Sequence, residues 1–393
     1  MKKFPVRLSF AALALALCTR LAAQPAAPVS EDTRKAQELQ ALRAAMIYES
    51  GQKPHYTRKF DLGGLPHYVP GEQRNTWLRV HGNNYMSDGR LGEFWQQAFA
   101  KFQPGIRLSY YFPTSAIAFA ALYEFQADLA MGHRPGFYDL LAFQRIFNND
   151  PLELTACTGS YDVSGWENSV AICVNEANPL TEISMEQLDG VFGSARDGGW
   201  IGTTWHREFA RGPEKNIRTW GQLGLKGEWA GLRITPHGFA LRYNTSTDFA
   251  DRVLKGSDKW NEDIRTYGNY QKADGTFYIQ SDQMAEALAQ DRSGIAFVRF
   301  RGDRPGMKRL NLVVDGKVVP HTMETVQGRS YPLGGQVYFY TNVKPGVKMD
   351  PALKEFLRFV LSQEGQAEVQ RDGKYLPLTA ADAKAQLEKL KDL

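Results

Sequence analysis

The sequence predicts an α/β fold with parallel sheets, divided into two domains. Three observations support this prediction. The chain has 393 residues, which is enough for two domains. Segments of strand and helix character alternate from residue 76 onward, a pattern typical of parallel sheets covered by helices. Hydrophobic residues make up 43% of the chain and aromatic residues 12%, so a sizeable core can be buried.

The first 23 residues have the pattern of an export signal. Basic residues surround an apolar run at residues 8–17, and the small residues Ala22 and Ala23 follow. The run is too short to span a bilayer. We therefore expect cleavage near Ala23 and a periplasmic protein. Lipid attachment at Cys18 is the alternative, and the bulky Leu17 before it argues against that.

Removal of this segment changes the charge of the chain. Residues 1–23 hold four of the 47 basic residues and none of the 43 acidic ones, so 43 of each remain. The mature chain then has no bulk attraction for nucleic acid or anionic membranes.

Two cysteines, Cys157 and Cys173, remain after cleavage. An even pair in an exported protein is compatible with a disulfide. Two buried core thiols are equally compatible with the sequence.

The N-terminal part of the mature chain, residues 24–75, predicts a helix and a linker. Ser30 is placed to cap a helix over residues 30–48, and residues 51–71 are rich in Gly and Pro. We expect no chemistry in this region.

The remaining elements are predicted from periodicity and turn residues. Strands are expected at residues 76–81, 107–112, 128–131, 152–158, 232–235, 294–300 and 336–340, with a hairpin at 310–314 and 317–319 around Asp315-Gly316. A further strand is expected in the apolar run that opens the stretch 169–180, before its Asn-rich turn. Helices are expected at residues 90–102, 116–126, 139–147, 181–192, 247–255, 281–290, 351–361 and 379–390.

Six phrases in a fixed order carry a family resemblance. They are ADLAMGHR (127–134), VAICVNEANPL (170–180), SMEQLDGVFGS with NIRTWGQL (184–194 and 216–223), SGIAFV (293–298), TMETVQGRSYPLGGQVYFYTN (322–342) and FLRFVLSQEGQAEVQRDGKYLPL (356–378). Together they resemble the periplasmic phosphate-binding subunits of bacterial ABC transporters, which are type II solute-binding proteins. The resemblance extends over about residues 76–378.

This resemblance implies a two-lobed periplasmic-binding-protein type II fold with two hinge strands. Lobe 1 would contain residues 76–165 plus 340–393, and lobe 2 residues 166–339. An inorganic oxyanion, phosphate first of all, would be held between the lobes without a metal or cofactor. The protein would act as a monomer that delivers its ligand to ABC permease subunits in the inner membrane, with no enzymatic activity and no nucleic-acid partner.

The resemblance also implies a set of ligand-binding residues on three loops that lead into helix N-termini, where orphan N–H groups and the helix dipole favour anions. Asp128 would accept a hydrogen bond from a protonated phosphate oxygen, which sulfate lacks, while Arg134 would neutralise Asp128. The loop residues are Asn83, Asn84 and Ser87 in the first loop, Thr114 and Ser115 in the second, and Arg242, Thr245 and Ser246 in the third. Helix capping and surface exposure are the alternatives for these loop residues.

Two loops depart from the family pattern and keep other functions open. Asn83-Asn84 and Tyr243-Asn244-Thr245 stand where relatives carry smaller residues that let the backbone approach the anion. Another small anion, an organic solute stacked on Tyr85, Tyr243 or Trp205, or a secreted scaffold that has lost the pocket are therefore alternatives.

Catalysis has no support in the sequence. The chain has no P-loop, no dinucleotide fingerprint, no His-Glu-x-x-His and no Gly-x-Ser-x-Gly motif.

Overall fold

The computed structural model describes residues 31, 34, 38, 53–82, 86, 89–163 and 168–393. The fold below belongs to the compact unit formed by residues 44–393. The predicted signal segment and most of the predicted helix at residues 30–48 lie outside the described residues.

A first five-stranded sheet lies within residues 76–341. Its strands are β1 (Thr76–Gly82), β2 (Ile106–Tyr111), β3 (Leu129–Gly132), β4 (Leu152–Thr158) and β17 (Gln336–Thr341), in the order β2-β1-β3-β17-β4. β1 pairs in parallel with β2 and β3, whereas β17 is antiparallel to both of its neighbours. Four strands of this sheet therefore run in one direction.

Helices cover both faces of the first sheet. They are α1 (Leu91–Phe99), α2 (Ala120–Tyr123), α3 (Phe137–Phe147), α8 (Pro351–Val360), α9 (Gln363–Asp372) and α10 (Ala380–Glu388). One apolar cluster joins α1, α8 and α9 to the sheet through residues such as Trp95, Phe356 and Val369. A smaller cluster around Phe119 and Phe143 joins α2 and α3 to it.

A second five-stranded sheet is built from residues 170–309. Its strands are β5 (Val170–Asn175), β9 (Thr235–Phe239), β10 (Arg265–Tyr267), β13 (Gly294–Arg299) and β14 (Met307–Arg309), in the order β10-β9-β13-β5-β14. β9 is parallel to β10 and β13, and β5 is antiparallel to β13 and β14. The chain thus builds two sheets with the same mixture of strand directions.

The second sheet has its own core and helices. The helices are α4 (Met185–Phe192), α5 (Asn244–Val253), α6 (Gln280–Gln290) and α7 (Met323–Gln327). Phe192, Phe249 and Phe297 are fully buried in the apolar cluster of this sheet. Each sheet therefore has a separate apolar core.

Small elements complete the described fold. The strands β6 (Glu182–Ser184), β15 (Asn311–Val314) and β16 (Lys317–Val319) form one sheet, and β7 (Gly199–Ile201) with β8 (Thr204–His206) and β11 (Tyr270–Gln271) with β12 (Phe277–Tyr278) form two hairpins. Five 3₁₀ helices lie at Ser115–Ile117, Arg207–Phe209, Pro213–Lys215, Trp220–Leu223 and Gly227–Trp229.

The predicted hairpin around Asp315-Gly316 is confirmed. β15 and β16 pair antiparallel, with Val314 opposite Lys317. Asp315 and Gly316 take φ values of 48° and 74°, as the central residues of a type I′ turn require. The strand predicted within residues 169–180 is β5, and the chain enters the second sheet through it.

Some predicted elements are wrong. The strand predicted at residues 232–235 instead begins at Thr235 and includes Pro236. Proline has no backbone N–H to donate to a neighbouring strand, so the sequence does not predict a strand across it. The helix predicted at residues 116–126 is broken into a 3₁₀ turn and the short α2. The helix predicted from residue 181 begins at Met185, after the capping residue Ser184, whose hydroxyl accepts from the Gln187 N–H at 3.1 Å.

Strand β17 belongs to the first sheet over its whole length. The predicted lobe boundary at residue 340 falls inside this strand, which pairs with β4 from Gln336 to Thr341. The chain therefore returns to the first sheet before Gln336.

Cys157 and Cys173 are buried thiols that are not joined by a disulfide. They lie in β4 and β5, which belong to different sheets. Burial raises the pKa of the Cys173 thiol to about 12. Both cysteines act as small apolar core residues.

Candidate functional site

A cavity of about 260 Å³ lies between the two sheets. From the first sheet its walls include Phe119, residues 130–136, Asp139, Gly335 and Tyr340, and from the second Asn168, Val170, Asn244, Thr245, Thr247, Asp248, Asp251, Arg299 and Leu333. Several of these follow the carboxyl ends of parallel strands, where α/β proteins commonly bind ligands.

The segment that joins β3 to α3 forms part of the wall on the side of the first sheet. It places His133 and Arg134 in the cavity. The N–H of Gly136 donates to the Asp139 carboxylate at 3.2 Å, which fixes the start of α3. The nearest carboxylate oxygen to the Arg134 Nε is that of Glu153, at 3.9 Å. This long distance leaves most of the Arg134 guanidinium donors able to face a ligand.

The N-terminal end of α5 and the last residue of β13 form part of the wall on the side of the second sheet. Arg299 ends β13 and its Nε donates to the Thr245 hydroxyl at 2.7 Å. Thr245 is buried, so this hydrogen bond holds the guanidinium at the helix N-terminus. A guanidinium and the positive end of a helix dipole therefore face the same space.

One polar contact crosses the cavity between the two walls. The Asn244 amide nitrogen lies 3.2 Å from His133 Nδ1. Burial, with a contribution from Arg299, lowers the pKa of His133 to about 4. The imidazole is therefore neutral near pH 7, and Nδ1 accepts the hydrogen bond from Asn244.

Two carboxylates balance the positive groups. Asp248 and Asp251 lie on successive turns of α5 and both line the cavity. Asp248 is 3.4 Å from the Arg252 guanidinium, a pair within the helix. Since an ionised carboxylate can only accept hydrogen bonds, these groups favour a ligand that carries a proton of its own.

The first two predicted loops are placed as follows. Asn83, Asn84 and Ser87 lie outside the described residues. Thr114 does not line the cavity, and its hydroxyl is 3.4 Å from the Ala116 N–H, as in a helix cap. Ser115 begins the 3₁₀ helix, and its side chain lies outside the description.

Asp128 faces Arg79 and does not line the cavity. The Arg79 guanidinium donates to its carboxylate at 2.7 and 3.2 Å, and the Arg79 backbone N–H donates at 2.8 Å. Both carboxylate oxygens are thus engaged. The prediction that Arg134 neutralises Asp128 is wrong, because Arg79 on β1 fills that role.

The third loop contributes Thr245 and not its neighbours. The exposed Arg242 guanidinium lies 5.2 Å from the centre of the Tyr243 ring, away from the cavity. The buried Ser246 hydroxyl donates to the Phe239 carbonyl at 2.8 Å. Of this predicted trio, the structure brings Thr245 alone to the cavity wall.

Sequence reasoning missed His133, Asn244 and Arg299 as candidate site residues. Their signal was positional, because His133 and Arg299 end or directly follow the strands β3 and β13. The predicted stacking residues Trp205 and Tyr243 do not line the cavity. Trp205 packs against Trp200 on a hairpin, Tyr243 lies under Arg242, and Tyr85 is not described.

The described ranges offer neither a metal site nor a membrane-spanning helix. No group of three or more His, Cys, Asp or Glu residues there is placed to hold a metal ion. None of the described helices has the length and apolar character that a bilayer crossing requires.

Comparison with known proteins identifies the family. A family model described as a PBP superfamily domain matches residues 91–364. The chain therefore belongs to the PBP superfamily, and the predicted fold class is confirmed.

Relatives within this family are named phosphate-binding proteins. The chain is 26% identical over 330 residues to the phosphate-binding protein PstS of Pseudomonas aeruginosa, covering 83% of this chain and 90% of that protein. It is 25% identical over 232 residues to PstS of Staphylococcus epidermidis, covering 58% and 59%. The crystal structure of PstS from Borrelia burgdorferi aligns with a TM-score of 0.48 at 12% identity, covering 78% of this chain and 100% of that one. The predicted resemblance to phosphate-binding subunits is confirmed by the first two relatives.

Proposed function

We propose that this chain is an exported phosphate-binding protein that encloses the anion between its two lobes for import by an ABC transporter. The observation that carries the proposal is the convergence of Arg134, Arg299 and the N-terminal end of α5 on one cavity. The relatives named phosphate-binding protein PstS support the same ligand.

The cavity suits a partly protonated oxyanion. Burying an anion is costly unless hydrogen-bond donors replace its water. Arg134 and Arg299 supply charged donors from opposite walls, and the positive end of the α5 helix dipole also favours the anion. Asp248 or Asp251 accepts a hydrogen bond from a protonated phosphate oxygen. In this scheme the hydroxyl of Thr245 positions the Arg299 guanidinium. Ligand contact by the first-loop residues Asn83, Asn84 and Ser87 stays a prediction.

The route and partners follow from the same proposal. Residues 1–23 direct the chain to the periplasm, and the mature protein works as a monomer. It delivers phosphate to ABC permease subunits in the inner membrane. Binding, without turnover of the ligand, is the whole of its chemistry.

Calorimetric titration of the phosphate-stripped protein tests the ligand. We expect phosphate to bind one to one, and sulfate to bind at least about tenfold more weakly, because sulfate has no proton for Asp248 or Asp251 to accept. Absence of heat with phosphate would contradict the proposal, as would equal affinity for sulfate. Mass spectrometry of the protein as purified identifies any organic ligand in that event.

A further inference from the structure

A second feature lies beside the cavity, the hairpin formed by β7 and β8, here named the bridging hairpin (residues 199–206). Ile201 pairs with Thr204, so the turn contains two residues, Gly202 and Thr203. Gly202 takes φ +58°, as the first central residue of a type II′ turn requires. The turn is therefore tight and holds Thr203 in a defined place.

The base of the bridging hairpin is attached to the second sheet's side of the cavity. The Trp200 N–H donates to the Lys255 carbonyl at 2.7 Å, just beyond the end of α5. The Trp200 and Trp205 rings pack with their centres 4.9 Å apart. These contacts fix the hairpin relative to the helix whose other end lines the cavity.

The tip of the bridging hairpin contacts α3, which packs on the first sheet. The Thr203 hydroxyl donates to the Gln144 side-chain oxygen at 2.7 Å. The Gln144 amide nitrogen donates to Asp150 at 2.7 Å, which leaves the amide oxygen free to accept from Thr203. The Trp200 ring also lies 4.8 Å from the Phe137 ring. A polar and an aromatic contact therefore join the two sides.

These contacts are separate from the two places where the chain crosses between the sheets. α3 begins directly after the cavity residues 132–136, and Asp139 in its first turn lines the cavity. A hinge motion that moves α3 away from α5 breaks the contacts of Thr203 and Trp200. Such a motion would open the cavity at the same time.

We propose that the bridging hairpin holds the lobes closed, with Thr203 and Gln144 as positioning residues that slow ligand release. A contact present in the closed state and absent from the open state stabilises the closed state. Such a contact lowers the rate at which the ligand dissociates and leaves its association rate unchanged, because the ligand enters the open state. The identity of the ligand in this inference rests on the proposed function.

The variant Thr203→Val tests the inference, since valine keeps the shape of threonine and loses the donor. Release of ³²P-phosphate from the loaded protein should be about three- to tenfold faster, with an unchanged association rate. Thr204→Val, an exposed position on the same hairpin, should release phosphate like the parent. Thr203→Ser should restore the parent's rate. Parent-like release from Thr203→Val overturns the inference, as does equal acceleration by both valine variants.

A second measurement separates this inference from the proposed function. If the parent binds no phosphate, the proposed function fails, and amide hydrogen exchange still tests the hairpin. Thr203→Val should then speed exchange in β7, β8 and the first turn of α3, relative to Thr204→Val. Equal exchange in the two variants overturns the inference whatever the ligand is.

Discussion

At the scale of single residues, the site depends on which charged groups are already paired. Asp128 and Arg242 looked like ligand contacts in the sequence, but Asp128 faces Arg79 and Arg242 faces the Tyr243 ring. Arg299 did not stand out, yet it is held by Thr245 at the cavity wall. The Arg79–Asp128 pair joins residues 49 positions apart, and no local pattern reports such a pairing.

Replacing Arg299 and Arg242 separately by methionine tests which of the two arginines contacts the ligand. The structure favours Arg299, whereas the sequence favours Arg242. Arg299→Met should weaken phosphate binding by about ten- to one-hundredfold, because a charge-assisted hydrogen bond to the anion is lost. Arg242→Met should bind phosphate like the parent, since that guanidinium is exposed and lies away from the cavity. Calorimetry on both variants measures the difference. The reverse order of effects would restore Arg242 as the ligand contact.

At the scale of elements, α5 is the helix on which the site depends. Its N-terminal end lines the cavity, and its buried face is anchored by Phe249, whose ring stacks on Phe297 with centres 4.0 Å apart and planes 12° apart. Both rings are fully buried. Aromatic packing of this kind fixes the direction in which the helix N-terminus points.

Truncation of this anchor should destabilise the protein. Phe249→Ala should lower the free energy of unfolding by about 3–5 kcal/mol, the usual cost of removing a buried phenyl ring. Tyr138→Ala removes a ring that is 82% exposed and should change it by less than about 0.5 kcal/mol. Urea unfolding followed by circular dichroism measures both values. A cost below about 1 kcal/mol for Phe249→Ala would show that α5 is held in another way.

Elements with strong local signals could be predicted from the sequence. The Asp315-Gly316 hairpin, β4 and α8 follow from turn chemistry and periodicity, which act over a few residues. β9 was misplaced because its place in the sheet comes from pairing with β10 and β13, which overrides the local effect of Pro236. Site residues were harder for the same reason, since their partners lie far away in the sequence, as Thr245 does from Arg299.

At the scale of the whole molecule, histidines whose pKa is lowered in the folded protein link stability to pH. The pKa of His133 is lowered to about 4 and that of His321 to about 3, in both cases chiefly by burial. The His321 ring is enclosed by Tyr161, Phe300 and Tyr331, and its Nε2 lies 2.8 Å from the Ser169 hydroxyl. Both rings are neutral in the folded protein at pH values where an unfolded histidine takes up a proton.

The sign of the pH effect follows from proton binding. Below about pH 6.5 the unfolded chain binds more protons than the folded one, so stability should fall as the pH falls toward 4. His321 alone should cost about 1 kcal/mol between pH 6.5 and pH 5.5. Urea unfolding at pH 7.0 and 5.5 should show a smaller difference for His321→Gln than for the parent. The same difference in both proteins would exclude this histidine as the cause.

Strand β17 has a consequence for the order of folding. It lies between β3 and β4, so the first sheet lacks a central strand until residue 341 has been synthesised. The second sheet is built from residues 170–309 alone and is complete about thirty residues earlier. The lobe whose chain starts first therefore finishes last. Until then β3 and β4 keep unpaired edges, which makes the half-made first lobe the part of the chain most exposed to aggregation.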